Sequence, residues 1–226
     1  MPPAELQLHK GLFITFEGTE GSGKSTQIVR LEKRLRDLGH TVRAFREPGG
    51  TPLGEEIRHT LKHSPANRGM TPEAELLLLN ASRAQLVREV IRPALESGEI
   101  VLCDRFFDST IAYQGYGREL PLQAVRSVIA LAIGGILPDL TLLLEVSVSV
   151  SESRRAERKK SEAPLRDHFE ASDRAFFERV EQGFQIIATS EPDRVYRVDG
   201  GADPDHVEGN IWAVISNRFK KLSTSD

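Results

Sequence analysis

Cysteine is almost absent from the chain: Cys103 stands alone among 226 residues. No disulfide can form within it, which excludes a stapled secreted scaffold and points to a reducing, cytoplasmic setting. An excess of charge of either sign is also missing. Lys and Arg total 30 against 33 Asp and Glu, a net charge of −3. A broad basic surface for a nucleic acid polymer is therefore not expected, whereas a nucleotide pocket needs only a local cluster of cations. No apolar run is long enough to span a bilayer, so no membrane partner is expected. The start, Met1-Pro2-Pro3-Ala4-Glu5, lacks the basic and apolar segments of a secretory signal. A repeat, a low-complexity tract and a Pro/Gly-rich linker are missing too. The length then reads as one α/β domain over residues 1–226, with any second unit an inserted lid.

What is there alternates. Five short apolar, β-branched runs, Leu12–Glu17, Thr41–Arg46, Ile100–Asp104, Leu140–Val146 and Arg194–Val198, are separated by segments with helical periodicity. Alternating strands and helices need crossover connections, hence a mostly parallel sheet covered on both faces, a three-layer α/β/α arrangement. A helix after Ser25 should stop near Gly39. Another should start at Pro72, with Thr71 as N-cap, and run towards Gly98. From Ser147 to Pro164 hydroxyl and charged residues displace apolar ones, which reads as a flap or as a solvated surface helix.

Gly18-Thr19-Glu20-Gly21-Ser22-Gly23-Lys24-Ser25 satisfies G-x-x-x-x-G-K-[ST] between an apolar strand and a helix-compatible run. The glycines let successive backbone N–H groups face one anion, and the positive end of the following helix, Lys24 through Thr26, adds to them. Lys24 would sit on the β- and γ-phosphates, and the Ser25 hydroxyl would reach Mg²⁺. The motif implies nucleotide binding without separating kinases from GTPases or motor ATPases.

Ile100–Asp104 ends in Asp104-Arg105. Ligands in open α/β sheets lie beyond the carboxyl ends of the strands, which puts Asp104 beside the P-loop and within reach of the magnesium shell. Arg105 can fork onto a phosphate. No N-K-x-D-like run and no D-x-x-G follow, which argues against a GTPase. On the helix from Thr71, Leu76, Leu79, Leu86 and Val90 share one face, and Arg83 projects from its middle. A guanidinium facing a core needs an anion or acceptors, supplied either by a substrate or by an internal carboxylate. Arg58, after a loop-forming Glu47–Thr51 stretch, reads on its own as an exposed arginine. Arg154 and Arg158, four apart in the basic flap, share a helix face and would repel without an anion between them. A closing lid of such arginines can contribute about 10³-fold to phosphoryl transfer.

More specific than the P-loop are Phe16-Glu17-Gly18, the run Arg46-Glu47-Pro48-Gly49-Gly50-Thr51-Pro52-Leu53-Gly54, and Ala81-Ser82-Arg83-Ala84-Gln85-Leu86. Asp104-Arg105-Phe106, Ser109 with Ala112-Tyr113-Gln114-Gly115, and Val198-Asp199-Gly200 complete the set. Through them nearly the whole chain resembles the bacterial-type thymidylate kinases. The resemblance implies transfer of the ATP γ-phosphoryl group to dTMP, with Mg²⁺, on a five-stranded parallel sheet of the nucleoside monophosphate kinase kind, usually as a homodimer. It implies Arg58 and Arg105 on the dTMP phosphate, Arg83 on the thymine edge and Glu20 near the 3′-hydroxyl. Tyr113 would pack at the sugar, and Thr110 and Gln114 would line the base pocket. The P-loop carries no arginine, so the lid cations, chiefly Arg154 and Arg158 within a mobile segment of about 147–168, should serve catalysis beside Lys24 and Arg105. Leu79 stands where the family usually has a phenylalanine that stacks on thymine, with Phe106 or Phe107 as conceivable substitutes. His168 stands where arginine is commoner.

Two other readings compete. A deoxynucleoside kinase needs a carboxylate base for a neutral hydroxyl, whereas Arg58, Arg83 and Arg105 suit an acceptor that already carries a phosphate. A nucleotide-binding regulator without turnover finds its only hint in Leu79.

Overall fold

The computed structural model describes residues 10–161 and 173–222. The five apolar runs become β1 (Leu12–Glu17), β2 (Val42–Arg46), β3 (Ile100–Asp104), β4 (Leu140–Glu145) and β5 (Val195–Asp199). All pair in parallel in the order β2-β3-β1-β4-β5. The three inner strands are buried along nearly their whole length, and this is why their sequences read as continuous apolar runs rather than alternating ones. The two edge strands carry exposed charges, Arg43 and Arg46 on β2 and Arg197 on β5, which discourage pairing with a second sheet. Strand ends differ from the sequence reading by one residue, within the usual fraying of element boundaries.

Two apolar clusters cover the sheet. One holds Phe13, Val101 and Leu143 against helices α3 (Pro72–Leu86), α5 (Phe107–Thr110), α6 (Leu122–Ile133) and α8 (Arg174–Ser190). The other packs Ile14, Leu102 and Leu142 against α1 (Lys24–Asp37) and α9 (Pro204–Arg218). Alternate side chains of β1 thus enter opposite layers, and each fully buried Phe, Ile or Leu is worth about 1.5–3 kcal/mol.

Local signals set the helix ends. Gly39 (φ 91°) follows α1, with its N–H on Arg36 O and that of His40 on Leu35 O. Thr51 and Thr71 cap α2 (Pro52–Lys62) and α3 through their hydroxyls. The expected long helix from Pro72 towards Gly98 is interrupted: α3 passes through a π-helical turn, Val87–Ile91, into α4 (Arg92–Glu96). Pro93 explains the widening, since its ring would clash with the carbonyl four residues earlier and it has no N–H to donate. The polar flap forms α7 (Val148–Ser161), opened by Ser147 Oγ accepting the Val150 N–H at 3.4 Å.

Candidate active site

β1 lies at the centre of the sheet, and the loop leaving it turns straight into α1. Gly18, Gly21 and Gly23 hold φ values of 131°, 76° and 97°. At Gly18 an added Cβ would lie 2.2 Å from Leu144 O, so the position admits no other residue. Lys24 folds over the loop and donates to Gly18 O at 3.1 Å, Thr19 O at 2.9 Å and Ser22 Oγ at 3.4 Å. Burial disfavours its charge and Arg105 repels it. Its pKa is therefore lowered to about 8, although Asp104, Glu20 and Glu17 pull the other way. Ser25 and Thr26 occupy the exposed first turn of α1.

The neighbouring strand supplies the second half. Phe16 pairs with Asp104 in register, and Ser25 Oγ donates to Asp104 Oδ2 at 2.9 Å. These two oxygens are hard donors side by side at the foot of the phosphate loop, a pair that fits Mg²⁺. Arg105 then turns back on itself. Its backbone is left-handed (φ 70°) and its N–H donates to Phe16 O at 2.9 Å. Its guanidinium donates to Gly18 O at 2.9 Å and Ser109 Oγ at 3.0 Å, and lies 5.1 Å over the Tyr113 ring. A non-glycine residue held at positive φ marks backbone strain that the surroundings must over-determine.

Glu17 does the holding. Fully buried, it accepts the N–H groups of Phe106 at 2.7 Å and Ser109 at 3.2 Å and the Ser109 hydroxyl. Burial, and next to it the charge of Asp108, raise its pKa to about 7, against the opposing pull of Ser109, Arg105 and Phe106. Asp108 is itself clamped by both terminal nitrogens of Arg194, at 2.7 and 2.8 Å.

Arg83 is 2 % exposed and has an internal carboxylate: it donates to Glu47 Oε2 at 2.8 Å, to Asn80 Oδ1 at 2.9 Å and to Phe106 O at 3.2 Å. Glu47 Oε1 has no hydrogen-bond partner among the described residues. Arg58 is half-buried rather than exposed and donates to Pro48 O at 2.9 Å. Arg58 on α2 and Arg105 just after β3 follow adjacent strands, which are joined here by Glu47 N–H to Asp104 O at 2.9 Å. Thr110, Tyr113 and Gln114 are buried in α5 and the π-helical segment after it, Ile111–Gly117. Leu79 is half-buried on α3. Neither Phe106 nor Phe107 can stand in for a stacking ring there. Phe106 is fully buried edge-on to Phe13, and Phe107 packs under Arg194.

The polar flap docks on the loop tip. Ser151 Oγ donates to Glu20 O at 2.7 Å, and Arg154 bridges Gly21 O at 2.9 Å and Gly200 O at 3.0 Å. The side chain of Arg158 and all of His168 lie outside the described residues. Sequence reasoning assigned no part to Glu17, Glu47, Glu75, Ser109 or Ser151. A carboxylate ending an otherwise apolar strand was the one available signal for Glu17.

A five-stranded parallel sheet of this order, with a glycine-rich loop between its central strand and a helix and an Asp–Arg pair on the next strand, defines the P-loop NTPase fold. The family model for thymidylate kinase matches residues 16–211. The chain is 49% identical over 211 residues to a thymidylate kinase of Deinococcus radiodurans, covering 93% of this chain and 99% of the relative. It is 48% identical over 206 residues to one of Syntrophotalea carbinolica, covering 91% and 95%. The crystal structure of thymidylate kinase from Ehrlichia chaffeensis superposes with a TM-score of 0.73 at 33% identity, over 91% of this chain and 98% of that one. The chain belongs to the thymidylate kinase family.

Proposed function

We propose that the chain transfers the γ-phosphoryl group of ATP to dTMP, giving dTDP and ADP. One observation carries the reading: Lys24 and Arg105, from different strands' loops, both donate to the carbonyl of Gly18, at 3.1 and 2.9 Å. Two cations aimed at one oxygen mark where two phosphates can be brought together. Nucleotide oxygens would replace the carbonyl as acceptors, Lys24 on the donor and Arg105, with Arg58, on the acceptor. Fixed cations there offset the repulsion between the anions and orient them for in-line attack. The dTMP phosphate is already an anionic nucleophile, so no carboxylate base is required. Ser25 and Asp104 would hold Mg²⁺, which when bound neutralises charge on the transferred group.

The segment from about 147 to 168, of which residues 162–168 lie outside the described residues, serves as a lid within this single domain. For Arg154 to reach the transferring group, its bonds to Gly21 O and Gly200 O must be exchanged for phosphate oxygens. The site works in the cytoplasm, and the protein is a homodimer. Support for the dimer comes from Leu77 on α3 and Leu131 on α6, 58% and 77% exposed on two helices that pack together. The test is ADP release with dTMP, dUMP, UMP and thymidine offered in turn. Turnover should be fastest with dTMP, and turnover with thymidine alone would overturn the reading.

A further inference from the structure

Glu75 stands in the first turn of α3 and is 1 % exposed. Its carboxylate accepts the Gln114 amide N–H at 2.7 Å, and Arg118 clamps it through Nε at 3.2 Å and Nη2 at 3.1 Å. A carboxylate has nothing to donate, so chemistry alone decides which end of the Gln114 amide faces it. The NH₂ group faces Glu75. The carbonyl Oε1 faces away, buried, and has no hydrogen-bond partner among the described residues. A buried acceptor without a donor is costly unless something supplies one. Glu75, Leu79 and Arg83 follow at i, i+4 and i+8 along one face of α3, so Gln114 is held beside the face that carries Leu79 and Arg83.

We propose that Glu75 is a positioning residue for base selection. By fixing the Gln114 amide it presents one lone acceptor, which takes a pyrimidine bearing an N3–H, thymine or uracil, and refuses cytosine, whose N3 is itself an acceptor. Arg118 keeps Glu75 from rotating away. The proposal rests on the reading of Gln114 as lining the base pocket of a dTMP kinase. A site built to hydrogen-bond one substrate group rejects an analogue lacking it far more strongly than an apolar pocket does.

Glu75→Gln tests it, because the new side chain can turn either an oxygen or an NH₂ towards Gln114 and the amide loses its fixed direction. The measurement is kcat/KM for dTMP, dUMP and dCMP, each with ATP. The preference for dTMP over dCMP should fall by about tenfold or more. The dTMP-to-dUMP ratio should not move, since both bases carry N3–H. An unchanged dTMP-to-dCMP preference, or an equal loss on all three acceptors, overturns the role of Glu75. Should that variant not fold, Gln114→Leu deletes both ends of the amide: the penalty on dCMP should shrink by about tenfold or more, and a penalty equal to the wild type's overturns the proposal. A wild-type protein that phosphorylates no nucleoside monophosphate would instead remove the dTMP kinase reading beneath it. Wild-type selectivity for dTMP that survives in Glu75→Gln removes only the part given to Glu75.

Discussion

The Glu17 carboxylate, at the end of β1, accepts the backbone N–H of Phe106 at 2.7 Å. With the N–H and hydroxyl of Ser109 it ties the strand before the phosphate loop to the loop after Asp104-Arg105, and Ser109 Oγ passes the contact on to the Arg105 guanidinium. The left-handed turn at Arg105 is therefore set by a fully buried carboxylate on the neighbouring strand.

Glu17→Gln keeps the shape but replaces one acceptor oxygen with NH₂. Losing one charge-assisted bond in a buried site should raise the KM for dTMP about tenfold, with the KM for ATP changing far less. The same variant has a pH signature. The folded pKa of about 7 lies above the ordinary 4.5, so this group's contribution is complete below pH 4.5 and lost as pH rises to 7. Urea midpoints followed from pH 4.5 to 7.5 should therefore fall in the wild type relative to the variant across that window. Parallel midpoints would show that Glu17 is not the buried titrating group.

Arg105 combines a strained backbone with the side chain proposed to bind the acceptor phosphate, and two substitutions separate these parts. Arg105→Ala and Arg105→Gly should both raise the KM for dTMP far more than that for ATP; the opposite pattern would remove Arg105 from the acceptor side. Glycine adopts φ 70° freely, whereas alanine pays about 1 kcal/mol there. The Gly variant should accordingly be the more stable of the two by thermal or urea unfolding. Equal stabilities would mean that the turn relaxes once the guanidinium is gone.

The parallel sheet was legible because buried strands read as apolar runs, and the P-loop because its glycines and lysine have fixed spacing. Asp104 and Arg105 were legible because they close such a run. The buried carboxylates that hold the surrounding groups in place were not. Glu17, Glu47 and Glu75 act on residues 89, 36 and 39 positions away, and no local period records a partner at that distance. Arg58 shows the same limit: on its own it looked exposed, and only the fold brings the Pro48 carbonyl to it. The break at Val87–Ile91 could be anticipated from Pro93, a residue that ordinarily disturbs the turn before it.

Burial and the neighbouring Arg105 lower the Lys24 pKa to about 8, and bound phosphates would restore its charge. ATP affinity should be flat below that pH and weaken as pH rises past it, with proton uptake on binding above pH 8. Calorimetry in buffers of different ionisation enthalpy reads that uptake directly. Lys24→Ala should abolish it and lower kcat by about 100-fold or more. Near-normal kcat in that variant would contradict the assignment of the phosphate cradle.

Leu79→Phe asks what a ring at this position adds. Phe106 and Phe107 are both locked in the core, so neither replaces the stack. Offset stacking is worth about 0.5–1.5 kcal/mol beyond burial, which corresponds to a KM for dTMP lower by about two- to tenfold. Stacking reads the face of a pyrimidine and is blind to its N3, so dCMP should gain by the same factor. That sets Leu79 apart from Glu75, whose substitution should change the dTMP-to-dCMP ratio. A Leu79→Phe variant that folds normally and leaves the KM for dTMP unchanged would show that position 79 does not face the base.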